Sequence, residues 1–283
     1  MSKFFTIKIK PTILASRQHT GAFSAHDVLF NWHAFKFPKQ GGVIRGITTL
    51  IRGVDGADQT ARAHGFYFAH PNLDGTAPSN LGTVNATADG TGYFNNLIGG
   101  HEMSAADKVN ANLDVMAMYA TGGGAGSDQI PFIHLRDKEN VAGELDDGGH
   151  TTIYISAVGG ASNTWDFSTG VVTSQAVDVS ELSAAQLVNA DIEGTDPRDV
   201  FAVGDIIYAE DDVIVGEIAS IPDANTITFK ADGSATESGT SYTVPADLAA
   251  WKIQNGAGAA GDLASGDELY NINPITIYLH CEM

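Results

Sequence analysis

Two histidines and an aspartate lie close together in residues 21–37, GAFSAHDVLFNWHAFKF, a grouping that could serve acid–base or metal chemistry. On a regular strand the adjacent side chains of His26 and Asp27 point to opposite faces, so they do not form a catalytic pair there. His33 follows seven residues after His26 and could join it at a metal only with a carboxylate from elsewhere in the chain. Nothing in the sequence selects these histidines over the others, and we interpret them as structural or solvent-facing.

No motif with a known catalytic or cofactor-binding mechanism occurs in the sequence. The GxSxG, HExxH, dinucleotide-binding and EF-hand patterns are all missing. The glycine-rich stretch 121–129 lacks the Lys-Ser/Thr pair of a phosphate-binding loop, and the acidic stretch 137–149 lacks the carboxylate spacing of a calcium loop. We therefore predict a protein that is not an enzyme, with no catalytic, cofactor-binding or metal-binding residues and no cofactor.

The charges are distributed unevenly along the 283 residues. The chain has 15 basic and 34 acidic residues, a net charge of −19. Residues 1–62 hold nine basic and three acidic residues (9 − 3 = +6), and the remainder holds six basic and 31 acidic (6 − 31 = −25). This division predicts a basic side that could meet an acidic neighbour and an acidic side that faces solvent, although folding could also scatter the charges. Nucleic acid is not expected as a partner, because binding phosphates requires a positive surface.

The composition also limits the cellular compartment of the protein and the ways in which its fold can be stabilised. Cys281 is the only cysteine, so the chain can form no internal disulfide. No apolar run approaches the ~18 to 20 residues of a membrane span, and the first ten residues alternate where a signal peptide would be continuously apolar. We expect a protein of a soluble compartment that has no membrane partner.

Strand patterns dominate the chain. Residues 5–10 and 275–281 alternate apolar and polar side chains, which predicts a half-buried strand at each end. We expect a turn at Asn31 and Trp32, and a short helix capped by Ser104. Further strands are predicted between clusters of turn residues at 43–54, 64–70, 113–120, 129–135 and 151–158. The predicted fold is all-β: a β-sandwich or jelly-roll-like main domain.

A change of composition after residue 165 predicts a second unit. Residues 196–244 contain several short strand patterns around tight turns, which favours a small β-barrel-like module inserted in the sandwich. The glycine-rich stretch 255–267 would then lead back to the last strand. The predicted domains are residues 1–165 plus 268–283, the main domain, and 166–267, the inserted module with its linkers.

The order of these patterns resembles that of virion structural proteins of tailed bacteriophages. The matching stretches are FTIKI, GAFSAHDVLFN, GGVIRGITTLIRGVDGAD, HGFYFAHPN and TTIYISAV, and with the last strand they cover roughly residues 4–160 and 273–281. The stretch 201–244 is similar to small β modules that recur in phage structural proteins. The insertion lengthens this chain relative to the pattern, which leaves the purpose of the module open.

The resemblance implies a capsid decoration (cement) protein. Such a protein binds the outer surface of the major capsid protein shell, commonly as a homotrimer, and would be located on the virion after assembly in the host cytoplasm. With the charge division, it suggests that the contact to the capsid or a sister subunit uses the basic residues Lys3, Lys8, Lys10, Arg17, Lys36 and Lys39, with the acidic module outward.

Two alternatives stay open at this point. The chain could be a tail, baseplate or fibre component, where similar β modules occur. It could also be an attachment protein that binds host glycans through exposed aromatic side chains. The aromatic residues considered for that role are Trp32, Tyr93, Trp165 and Trp251.

Overall fold

The structure is a computed structural model that describes most of the chain. The described residues are 3–52, 62–109, 116–121, 131, 133–135, 149–161, 164–168, 170–173, 177–178, 186–187, 192–193, 196–212, 214–224, 226–229, 234–237, 240–243, 262–263 and 268–283.

Strands make up most of these residues. In the first part of the chain they are β1 (Phe4–Ile9), β2 (Val28–Pro38), β3 (Gly42–Arg52), β4 (His64–Ala69), β5 (Leu97–Met103), β6 (Met116–Ala120), β7 (Ile133–Leu135) and β8 (His150–Gly159). After them come β9 (Val171–Thr173), β10 (Val177–Asp178), β11 (Gln186–Leu187), β12 (Ile192–Glu193), β13 (Ile206–Ala209), β14 (Ile214–Asp223), β15 (Thr226–Phe229), β16 (Ser234–Glu237), β17 (Thr240–Thr243), β18 (Asp262–Leu263), β19 (Glu268–Asn271) and β20 (Ile275–Glu282). Two short α-helices, α1 (Ala15–His19) and α2 (Pro197–Val200), and 3-10 turns at Phe94–Asn96 and Ala105–Asp107 complete the elements.

Two antiparallel sheets form the main sandwich. One has the order β1-β20-β3-β6, with β7 also paired to β3, and the other has the order β2-β8-β4-β5. Alternate side chains of both sheets meet in one buried apolar cluster, which includes Ile47 and Leu279 from the first sheet and Phe66 and Ile155 from the second. The period-2 patterns arise from this burial, because one face of each strand turns to the core and the other away from it. The predicted all-β sandwich is confirmed.

The chain termini pair within the first sheet. β1 runs antiparallel to β20 from the pair Phe4 and Glu282 to the pair Ile9 and Ile277. β20 in turn pairs with β3, so the last strand lies between the first strand and the third. The chain therefore returns to the sandwich after the intervening segment.

The segment between β8 and β20 forms a third, seven-stranded antiparallel sheet. Its order is β11-β15-β14-β13-β19-β9-β12. β19 belongs to this sheet, because Tyr208 of β13 pairs with Tyr270 and Val171 of β9 pairs with Leu269. The sheet of the module thus extends to residue 271, and the sandwich resumes at residue 275.

Helix α1 connects the sandwich to the module. Ala15 is buried with Tyr208 and Tyr270 in a small apolar cluster. The backbone amide and the hydroxyl of Ser16 donate to the carboxylate of Asp212, at 3.0 and 2.6 Å. The amide group of Gln18 donates to the carbonyl oxygens of Ile13 (2.7 Å) and Asn271 (2.9 Å). This short helix was not predicted from the sequence; it is fixed by contacts with residues about 200 positions away.

Two local predictions have different outcomes. The turn expected at Asn31 and Trp32 is wrong: both residues lie inside β2, where the register with β8 shifts between Phe30 and His33. Such an irregularity lets a strand carry extra residues without ending. The turn capped by Ser104 is confirmed as a 3-10 turn, in which the Asp107 carboxylate accepts from the Ser104 amide at 2.7 Å and from its hydroxyl at 2.9 Å.

Candidate interaction surface

The histidines and aspartate of residues 26–33 do not form a catalytic site. Asp27 is 6% exposed, and its carboxylate accepts from the backbone amide of Ser24 at 2.6 Å and from the Thr87 hydroxyl at 3.4 Å. His26 is exposed in the turn before β2, with a φ of 65°. His33 is half-buried on β2, and this burial lowers its pKa. Asp27 therefore stabilises the turn that starts β2, a role that needs neither histidine.

In the part of the chain that the structure describes, no three His, Cys, Asp or Glu side chains lie together in a way that could hold a metal ion. None of the helices in these residues is long and apolar enough to cross a membrane.

The clearest grouping of charged residues lies along one side of the sandwich. β1 is the edge strand of one sheet and β2 is the edge strand of the other. The rings of Phe5 and Phe37 are 5.8 Å apart, so both edges lie on the same side. The segments 3–8 and 33–39 together contain four lysines and no acidic residue. We call these two segments the basic edge.

Four of the six basic residues selected from the sequence belong to exposed or half-exposed parts of the basic edge. Lys8 projects from β1, with its ammonium nitrogen 5.8 Å from the centre of the Tyr278 ring. Lys36 projects from β2, and its ammonium group donates to the Thr152 hydroxyl at 3.3 Å. Lys3 and Lys39 lie at the ends of the two segments, where the Lys39 amide donates to the carbonyl oxygen of Gly149 at 2.9 Å.

The other two basic residues lie elsewhere, near the module. Lys10 is 3.8 Å from the carboxylate of Asp205, and Arg17 is exposed on α1. Burial raises the pKa of Asp205, while a hydrogen bond from the Ala202 amide and the charge of Lys10 act in the opposite direction. Asp205 also accepts from the side chain of Asn271 at 2.6 Å. Lys10 thus helps to hold the sandwich against the module, which the distribution of charge along the sequence did not indicate.

The backbone of β1 has a row of amide groups that point away from its partner strand. Lys3 and Met283 exchange two backbone hydrogen bonds, at 3.1 and 2.9 Å. Because bonded and non-bonded pairs alternate along an antiparallel ladder, the N–H and C=O groups of Phe4, Thr6 and Lys8 point to the free edge. Within the described residues no strand pairs with this side of β1.

The apolar side chains of β1 are not fully covered. Phe5 and Ile7 point toward the core but stay half-buried, whereas Ile9 is buried. On the opposite face of the strand Phe4 is 74% exposed. Sequence alternation predicted these two faces, but the position of β1 at a sheet edge depends on strand order, which alternation does not contain.

Two of the four aromatic residues considered for glycan binding lie in one surface group. The rings of Trp32 and Tyr93 are 5.9 Å apart, and the ring of Phe94, which is 63% exposed, lies 5.1 Å from that of Tyr93. Burial, with a smaller effect of Tyr67, raises the pKa of Tyr93. We call Trp32, Tyr67, Tyr93 and Phe94 the aromatic patch. Phe94 and Tyr67 were not selected from the sequence, where their side chains could equally be buried.

The other two aromatic candidates do not belong to this patch. Trp165 is fully buried in the main core, so it cannot stack on a sugar in solution. Trp251 lies outside the described residues. Trp165 is buried because it forms an isolated antiparallel β-bridge with Phe23, which holds this part of the chain against the sandwich.

Comparison with known proteins gives little support for any assignment. No protein-family model and no curated protein matches the chain. A search of solved structures gives the STIV major capsid protein, at 11% sequence identity and a TM-score of 0.16, with 99% of this chain and 96% of that chain covered. A similarity this low carries no argument about fold or function.

Proposed function

We propose that this protein is a non-enzymatic virion structural protein, a capsid decoration protein that binds the outer surface of a major capsid protein shell and stabilises it. The observation that carries the proposal is the basic edge, two edge-strand segments that contain lysines and no acidic residue in a chain whose net charge is −19. The order of the sequence patterns along the chain resembles that of phage virion proteins, which supports the same function.

Electrostatics and repetition together make such docking effective. Exposed charges are screened over about 8 to 10 Å at physiological salt, so the basic edge acts only on a surface that it touches. Each such contact is weak by itself. A repeating shell presents many equivalent sites, and subunits that associate with one another, as in a homotrimer, engage several of them at once. The acidic module would then face away from the shell.

Charge reversal on the basic edge tests the proposal. We expect the double variant Lys8→Glu and Lys36→Glu to reduce occupancy on purified particles by about tenfold or more, since each pair of opposite charges becomes a repulsive one. The control reverses Arg17 and Lys108, which lie outside the basic edge, and changes the net charge equally. Equal occupancy of both variants and the unmodified protein at moderate salt would contradict docking through this edge.

A tail, baseplate or fibre location would use the same edge with fewer copies. Copy number per particle separates the two locations: hundreds of copies fit a decoration protein, and a few dozen or fewer fit a tail component. Quantitative mass spectrometry of purified particles gives this number directly.

A second candidate function is supported by the aromatic patch. The ring of Phe94 is exposed beside the half-buried rings of Tyr93 and Trp32, and such rings can stack on sugars, so the patch could attach a particle to a host glycan. Glycan-array binding by the unmodified protein, lost in Phe94→Ala and retained in Leu73→Ala, would support this function. Leu73 is a suitable control because it is also exposed, at 65%. No binding to any glycan would remove this candidate.

A further inference from the structure

We propose that the free edge of β1 accepts an extended segment of a partner protein as an added antiparallel strand, and that this segment alternates acidic and apolar residues. The inference rests on the proposed function, in which the partner is the shell. It specifies how the basic edge is recognised: through main-chain hydrogen bonds as well as charge.

The backbone of β1 can make these bonds without any rearrangement. The N–H and C=O groups of Phe4, Thr6 and Lys8 point outward, as the bonded pair of Lys3 and Met283 fixes the alternation. There is no proline from residue 4 to residue 10 to interrupt a new ladder. The edge of β2 differs, because it ends at Pro38, which has no amide hydrogen to donate. β1 is therefore the better acceptor of the two edges.

The side chains of β1 specify the chemistry of the added strand. Thr6 and Lys8 lie on the outer face of the sheet, where Lys8 would stand beside a side chain of the new strand. An acidic residue at that place forms a favourable cross-strand pair, and a basic one is repelled. On the inner face the new strand would lie next to Phe5 and Ile7, which are only half-buried, so apolar side chains there would complete their burial.

The same lysines argue against pairing between two copies of β1. Lysine on an edge strand normally discourages edge-to-edge association, because an identical strand brings like charges together. The segment 3–8 contains Lys3 and Lys8 and no acidic residue to compensate their charge. Pairing of the edge with a second copy of itself is therefore disfavoured and pairing with an acidic strand is favoured, which gives specificity for the partner.

A proline substitution separates strand addition from simple charge attraction. Thr6→Pro removes an outward N–H and crowds the free edge, yet leaves the charge of β1 and its backbone hydrogen bonds to β20 unchanged. The contact of the Thr6 hydroxyl with His280 of β20, at 3.4 Å, is lost in this variant and in its control alike. Thr6→Val keeps the amide and removes only the hydroxyl, so it is the matched control. Both are made in the full chain, and thermal unfolding verifies that each is folded.

The probe is an acetylated seven-residue peptide that alternates Val and Glu, with a Val and Lys peptide as the charge control. We expect the acidic peptide to bind the unmodified protein and Thr6→Val alike, and Thr6→Pro about tenfold or more weakly, since the loss of a few hydrogen bonds has this effect. The basic peptide should not bind. Equal binding of the acidic peptide by Thr6→Pro and Thr6→Val, or no binding by the unmodified protein at millimolar peptide, would overturn strand addition.

Hydrogen exchange gives a readout that does not depend on any substitution. In the unmodified protein the amides of Thr6 and Lys8 should exchange quickly alone and slow down by about tenfold or more when the acidic peptide is added. The amides of Phe5 and Ile7, already bonded to β20, should change little. Unchanged exchange at Thr6 and Lys8 in the bound complex would overturn the proposal.

Occupancy measured on purified particles distinguishes a failure of this inference from a failure of the proposed function. If Thr6→Pro and Thr6→Val occupy purified particles equally, strand addition is wrong while the decoration function stands. If the unmodified protein does not bind particles at all, the proposed function fails, and the peptide experiment still decides whether β1 accepts a strand.

Discussion

His64 should make the stability of this protein sensitive to mildly acidic pH. The side chain is 1% exposed, and its ring lies edge-to-face against those of Phe66 and Tyr119, each at 5.1 Å, and Trp165 at 5.3 Å. Placing a positive charge among these rings would remove it from water without equivalent compensation. Burial accordingly lowers the pKa of His64 from 6.5 to about 3, with Asp107 and His101 acting in opposite directions as smaller causes.

The sign and size of the effect follow from proton linkage. Between the two pKa values the unfolded chain binds a proton at this histidine and the folded protein does not, so stability falls as the pH falls from 6.5 toward 3. One pKa unit corresponds to about 1.36 kcal/mol, which sets the full loss at about 5 kcal/mol and the loss at about pH 5 near 2 kcal/mol. Above about pH 7 the histidine is neutral in both states and this loss is absent.

Urea unfolding of the unmodified protein and of His64→Phe isolates this contribution. Phenylalanine keeps a planar ring in the aromatic cluster but cannot take up a proton. When the pH is lowered from about 7.5 to about 5, we expect the free energy of unfolding of the unmodified protein to fall by about 2 kcal/mol relative to that of His64→Phe. Other titrating groups, including Asp205 with its raised pKa, cancel in the comparison.

A difference that stays constant over this pH range would refute the reasoning. It would mean that His64 is as easily protonated in the folded protein as in the unfolded chain, and therefore that it is not enclosed among the three rings.

The remaining predictions concern local structure. Asp27→Ala should lower the free energy of unfolding by about 1 to 3 kcal/mol, measured by urea unfolding, because the Ser24 amide loses its acceptor; Thr87→Ala, which removes only the longer hydrogen bond, should cost less. Cys281 should resist a thiol reagent in the folded protein and react quickly in denaturant, since burial raises the pKa of its thiol to about 12; fast native labelling would contradict this. Gly100→Ala should destabilise by about 1 to 3 kcal/mol, because its added Cβ would lie 2.9 Å from the backbone oxygen of Phe66, and an unchanged melting temperature would count against that close approach.

The regular strands were largely predictable from the sequence. β1, β3, β4, β8 and β20 all coincide with predicted strands. In β1 and β20 one face packs in the core and fixes a period of two, whereas β8 is buried along almost its whole length. β5 was missed, since Gly99 and Gly100 have no side chains to show which face is buried. Asn31 favours a turn by its residue type, but pairing with β8 keeps β2 intact through Asn31 and Trp32.

The surface was less predictable than the strands. The sequence shows that lysines are frequent near the start of the chain, but only strand order places Lys8 and Lys36 on the same side of the sandwich. It also gives no sign that Lys10 is next to Asp205, 195 residues later. Trp165 illustrates the same limit: residue type alone does not separate a core aromatic from an exposed one. Contacts between residues far apart in the chain decide these cases.

The most direct test of docking through the basic edge is an electron cryomicroscopy reconstruction of purified particles that contain this protein. It should show many copies on the outer surface of the shell, with β1 and β2 toward the shell protein and an additional strand beside β1. Copies located away from the shell, or copies on the shell whose basic edge faces solvent, would contradict the account.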